Sequence, residues 1–152
     1  MWQWLESTGV AAAVGQSTLL TGGLSAVHLL GFTIVTGGGL ISNLTLLRVM
    51  FPDRPAGEIV APASRGMAIG LLVSVTTGLL LLAPRASAAT ANSIFQIKML
   101  LLAAAAAFHW TVHRRVCLRT SVGPVARRLT GGTGLVLWAG LALAGCAFIL
   151  LE

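Results

Sequence analysis

The chain has 152 residues, of which 56% are hydrophobic and only 9% charged, and its mean hydropathy is +0.90. A soluble domain carries about 25% charged residues, so a water-soluble globule is excluded, and a disordered chain with it. What remains is an all-α polytopic membrane protein: one membrane domain over 1–152, built as a four-transmembrane-helix up-down bundle with a short N-terminal interfacial helix. The net charge of +6 does not point to nucleic acid. Five of the ten basic residues (Arg114, Arg115, Arg119, Arg127 and Arg128) sit in one connector between apolar segments, without an aromatic-basic platform. Such a cluster reads as a topology determinant facing anionic lipid headgroups.

The opening Met1-Trp2-Gln3-Trp4-Leu5-Glu6 lacks the positive n-region of a signal peptide and is expected to stay on the mature protein. It reads as an interfacial helix over about 2–14, with Trp2, Trp4 and Leu5 at headgroup level. Span one is predicted over 19–47, after the capping residues Ser17 and Thr18. At 1.5 Å per residue it measures roughly 43 Å against a hydrocarbon core of about 30 Å, so it must tilt, kink or protrude. Its Gly37-Gly38-Gly39 triplet is the weak point. Span two follows Pro52-Asp53-Arg54-Pro55, covers 61–83 and is expected to stop before Pro84. Span three covers 94–113 and contains Lys98; span four covers 131–151, with Pro124 in the turn before it and Trp138 inside it. Cys117 and Cys146 then fall on opposite sides of the membrane, which argues against a disulfide between them.

With the N-terminus outside, one face carries Arg48, Arg54, Arg65, Arg114, Arg115, Arg119, Arg127 and Arg128, and the other only Arg85 and Lys98. The positive-inside rule then puts both termini on the periplasmic side of a bacterial inner membrane.

In a bilayer the polar residues need a partner or a function. His28 lies about 13 Å below the outer end of span one, and Gly31, Val35, Gly39 and Ser42 share its helical face. An imidazole followed by glycines suits a haem: the ring binds iron, and the missing side chains let the flat macrocycle approach the backbone. The same pattern also suits close helix packing, with His28 hydrogen-bonded across the bundle. On span three, Lys98 and His109 are eleven residues apart and so lie within about 20° of one another. His109 is a second candidate iron ligand. Lys98 is read as a ligand, a propionate partner or a snorkelling cation. His113, just before Arg114-Arg115, is expected at the interface. Counted from the outer face, Lys98 stands at roughly 6 Å, His28 at 13 Å and His109 at 22 Å. A pairing of His28 with Lys98, one of His28 with His109, or two haem levels with Met67 near His109 all stay open. Arg65 is a candidate propionate or quinone-carbonyl partner as well as a positive-inside residue. Acidic residues are nearly absent from the spans, which weakens a carboxylate proton relay, and no hydrolase or phosphate-loop motif is present.

Three stretches carry a resemblance: Ser25-Ala26-Val27-His28-Leu29-Leu30-Gly31, Thr76-Thr77-Gly78-Leu79-Leu80 and Phe95-Gln96-Ile97-Lys98-Met99-Leu100. Together they resemble an uncharacterised bacterial family of small four-helix membrane proteins. More remotely, they are similar to the HemJ-type protoporphyrinogen oxidases and to CopD-like membrane domains. The HemJ resemblance implies bound haem b on a helix-one histidine and a helix-three lysine, here His28 and Lys98. That type carries a tryptophan after the first histidine, whereas Leu29 stands here.

The sequence therefore leads to the expectation of a membrane b-type cytochrome: haem b as cofactor, electron transfer as activity, the lipid bilayer as environment. A redox protein or quinone is its expected partner, and homo-oligomerisation is open. Two alternatives stand beside it. One is a porphyrinogen oxidase-like enzyme; the other is a cofactor-free, copper-linked assembly or transport subunit, against which the scattered thiols and methionines count.

Overall fold

A computed structural model describes residues 2–119 and 122–150; Leu151, the expected end of span four, and Glu152 lie outside the described residues. The described residues form helices and connecting turns, and four stretches are long and apolar enough to cross a membrane. The protein is an all-α four-helix bundle and a multi-pass membrane protein.

Residues 2–16 contain two helices where one is expected, α1 (Gln3–Glu6) and α2 (Gly9–Gln16). The break has a local cause. The Thr8 hydroxyl accepts from the Ala11 amide at 3.2 Å and so starts a new helix. Helix α3 (Thr18–Leu46) is capped by Ser17, whose hydroxyl accepts from the Leu20 amide. It runs unbroken through Gly37-Gly38-Gly39, because tertiary packing overrides the low helix propensity of glycine. A Cβ on Gly38 would lie 2.5 Å from Met67 Cγ, and one on Gly39 2.7 Å from the Trp138 ring.

Helix α4 (Ala56–Leu82) begins five residues before the expected start and holds Pro62 within it. The helix ends at Leu82, before Pro84, as expected. Pro84 sits in a 3₁₀ turn (Ala83–Arg85) that leads into α5 (Ala86–Ala91). Asn92 caps α6 (Ser93–Phe108) by accepting from the Ile94 and Phe95 amides. The third span then passes through a π turn (His109–His113), in which the Arg114 amide donates to the His109 carbonyl, and ends as α7 (Arg114–Leu118). Helix α8 (Pro124–Leu150) starts at Pro124, seven residues before Gly131; proline is favoured in a first turn, where its missing N–H costs no helical bond.

Helices α1 and α2 lie over the turn between α4 and α5, with Gly15 against Pro84 and the Glu6 carboxylate accepting from the Ser87 amide at 2.7 Å. This is the capped end of the bundle; the arginines of the other connectors mark the basic end. The tightest helix pair is α3 with α4. A Cβ on Gly31 would stand 2.9 Å from the Gly70 carbonyl oxygen, and one on Gly70 2.7 Å from that of Gly31. Helix α8 packs on both α3 and α6. Toward the capped end α6 makes no extensive contact with α4, whereas α7 packs on α4 at the basic end. The third span is therefore a close neighbour of α4 in the basic half and not in the capped half. The main core of Val35, Met67, Ala105, Trp138 and Leu141 lies between the two.

Candidate functional site

Two helical stripes carry the polar residues. On α3, His28, Val35 and Ser42 follow one another at about seven-residue steps, close to two full turns. On the third span, Lys98 and Ala105 are likewise seven apart, and His109 follows one turn later, four residues beyond Ala105. Val35 and Ala105 are both fully buried in one core cluster, so both stripes face the bundle axis. Val35 and Ala105 form a floor, with one polar level toward the capped end and another toward the basic end.

The capped level contains His28 and Lys98, both half-buried. His28 Nδ1 lies 2.9 Å from the Ser74 carbonyl oxygen and 3.2 Å from Thr77 Oγ1. The Thr77 hydroxyl gives its own proton to the Val73 carbonyl at 2.7 Å. Both neighbours of Nδ1 are thus acceptors, so Nδ1 carries the ring proton and Nε2 keeps the lone pair. The ring also rests on Gly78, where a Cβ would stand 3.0 Å from Cε1. Lys98 lies near enough for its charge to act on His28. Its ammonium sits over the Phe148 ring at 5.6 Å, and Phe95 tilts against the same ring.

The basic level is closed. His109 and His113 are 1% and 0% exposed and stack at 5.1 Å with 17° between their planes. The Trp110 and Trp138 rings meet His109 edge-on. His109 Nε2 lies 2.9 Å from Ser64 Oγ, whose proton goes to the Val60 carbonyl. The proton between them is therefore on Nε2, and Nδ1 is a buried acceptor with no protein partner. Ser42 Oγ and Asn43 Oδ1 are buried in the same condition. Cys117 Sγ lies 3.6 Å from His113 Nδ1.

The structure therefore brings His28 and Lys98 to one level and leaves His109 at the other. Gly31 and Gly39 hold no open face for a flat ligand, since Ser74 with Gly70 fills the space beside the first and Trp138 the space beside the second. Arg65 is exposed on α4, next to the buried Ser64 that serves His109 and away from His28. Met67 is fully buried against Gly38. His113, expected at the interface, is instead in the core. Its spacing of four from both His109 and Cys117 puts the three on one helix face, and this was the available signal. Thr77 enters the sequence reading through the Thr76-Thr77-Gly78 stretch, and Ser64 and Ser74 not at all; a hydroxyl in an apolar span has little meaning until the opposite helix is known. Both cysteines are free, and among the described residues no three His, Cys, Asp or Glu side chains are grouped to hold a metal ion.

No curated protein and no solved structure matches the chain. Residues 3–150, nearly all of the bundle with both polar levels, match one family, and the chain accordingly belongs to the Family of unknown function (DUF6644).

Proposed function

We propose that the protein is a membrane b-type cytochrome that binds one haem b in the capped half of the bundle and passes single electrons. The observation that carries this reading is the fixed tautomer of His28. A histidine that ligates a metal through one nitrogen characteristically donates the other N–H to a carbonyl or carboxylate, which sets ring orientation and raises basicity. His28 does this toward Ser74 and leaves Nε2 as the donor for iron. The donor set fits the group, because Lys98 faces the same level as a second ligand or as a cation for a propionate. The lack of extensive contact between α4 and α6 puts the entry of a flat molecule on that side, since the glycine faces are filled. His109 is the weaker second ligand, as its Nε2 is bound to Ser64 and two indoles enclose its ring.

Haem supplies the one-electron couple. The protein's own residues hold the imidazole in one tautomer and set a cation beside it. The electron partner is a redox protein or a quinone, and self-association of the bundle belongs to the same proposal. So does residence in a bacterial inner membrane with both termini periplasmic, supported by eight of the ten basic residues lying toward the other side.

The test is a reduced-minus-oxidised absorption spectrum of the detergent-purified protein, with a pyridine haemochrome assay on the same sample. A b-type signal that disappears in His28→Ala and shifts in Lys98→Ala is the expected result. A colourless protein from cells well supplied with haem overturns the proposal.

A further inference from the structure

The basic end contains a half-open cavity of about 610 Å³ between the α3–α4 connector, the first turn of α4, α7 and the start of α8. Arg48, Arg54, Arg119 and Arg127 line it, against the two carboxylates Asp53 and Glu58. Two positive charges are therefore in excess. Glu58 meets Arg54 only at 3.9 Å and with both side chains exposed, so this pair does little to neutralise the wall.

Three features distinguish the cavity from an ordinary basic surface. Arg127 Nε is buried and has no hydrogen-bond partner in the protein, a donor left for something else. Helix α4 opens on the cavity through Ala56 and Gly57 with no side-chain cap, since its N-cap is Pro55. The positive end of a 27-residue helix thus points into the arginine wall. Arg48 adopts a left-handed backbone (φ 63°) and donates to the Pro52 and Arg54 carbonyls, which fixes the connector around the mouth. Arginine forks, a helix N-terminus and a mouth at headgroup depth are complementary to phosphate oxygens.

The geometry points to a binding site for a phosphate-bearing anion in this cavity, its source being either the headgroup of an anionic phospholipid or a water-soluble phosphate. Arg119 and Arg127 hold the phosphate from the α7–α8 side, and the α4 amides hold it from the other. The site joins two connectors that share no helix, so occupancy ties α4 to α8 at the basic end. It is independent of the haem reading.

The experiment uses the full-length protein in a neutral detergent, titrated with phosphatidylglycerol, phosphatidylcholine or inorganic phosphate and followed by native mass spectrometry and thermal unfolding. Phosphatidylglycerol should bind at least tenfold more tightly than phosphatidylcholine. The double variant Arg119→Gln/Arg127→Gln should lose about fivefold per arginine removed, roughly 25-fold in all. Arg114→Gln/Arg115→Gln removes the same charge from the same connector outside the cavity and should stay within about twofold of the parent. Inorganic phosphate that binds at the cavity and displaces phosphatidylglycerol assigns the site to a soluble phosphate; failure to displace it assigns the site to the lipid. Equal losses from the two double variants, or no preference over phosphatidylcholine together with no binding of inorganic phosphate, overturns the proposal. If the Arg119/Arg127 variant does not fold, the exposed single change Arg119→Gln carries the test, and an unchanged affinity there overturns it as well.

Discussion

The two halves of the bundle each present a histidine to the same axis, and they treat it differently. In the basic half, His109 is sealed by Trp110, Trp138 and His113 and bonded to Ser64. In the capped half, His28 is half-buried and held through Nδ1 by Ser74 and Thr77, where α6 makes no extensive contact with α4. The lesson is that burial and availability are separate properties. The histidine with the deeper position is enclosed on every described side, and the half-buried one keeps a ring nitrogen, Nε2, with its lone pair unprotonated.

Substitutions sharpen or break this contrast. The largest effect is expected from Trp138→Ala, which empties the wall beside His109 and Gly39 and should cost about 3–5 kcal/mol in thermal or denaturant unfolding of the detergent-solubilised protein. A cost as small as that of Phe148→Ala in the capped half would erase the difference between the halves. Next comes Gly39→Ala, whose Cβ meets the Trp138 ring at 2.7 Å and should destabilise by about 1–3 kcal/mol. Ser64→Ala takes the acceptor from a buried imidazole N–H and should cost about 1–3 kcal/mol on the same unfolding curve, with no change in any His28-dependent spectrum. Thr77→Val does the reverse. It removes only the more distant of two acceptors from His28, so stability should fall by about 0.5–1.5 kcal/mol or less while the spectrum moves. The smallest effect belongs to Gly22→Ala, on α3 near the capped end. A Cβ there meets nothing within 4 Å, so this change should be neutral or stabilise by about 0.5–1 kcal/mol through helix propensity.

Much of this architecture is written in composition and in periods of 3.6. The four spans follow from uncharged apolar length, and the facing stripes of His28 and Lys98 follow from rotation per residue. Helix ends were less legible: α8 begins at Pro124 because a proline that looks like a turn is also a good first helical residue. The role of the glycines was the least legible. Gly31 and Gly39 leave the same gap in sequence whether a porphyrin or a neighbouring helix is to fill it, and only the positions of Gly70, Ser74 and Trp138 decide. Nor does the sequence reveal that the third span packs on α4 at the basic end and not at the capped end.

The π turn at His109–His113 has a consequence for how this helix tolerates change in length. In an ordinary α-helix, deleting one residue turns everything beyond it by about 100° and moves each downstream side chain to a new face. A π turn already contains one residue more than an α turn needs. Excision of Thr111, an exposed residue inside it, would let the turn relax to α geometry while Arg114–Leu118 keep their bearing and Cys117 stays at the cavity wall. The same excision a few residues earlier, in the alanine run, would swing both histidines out of the core. The third span thus has one place where its length can be edited without disturbing its orientation.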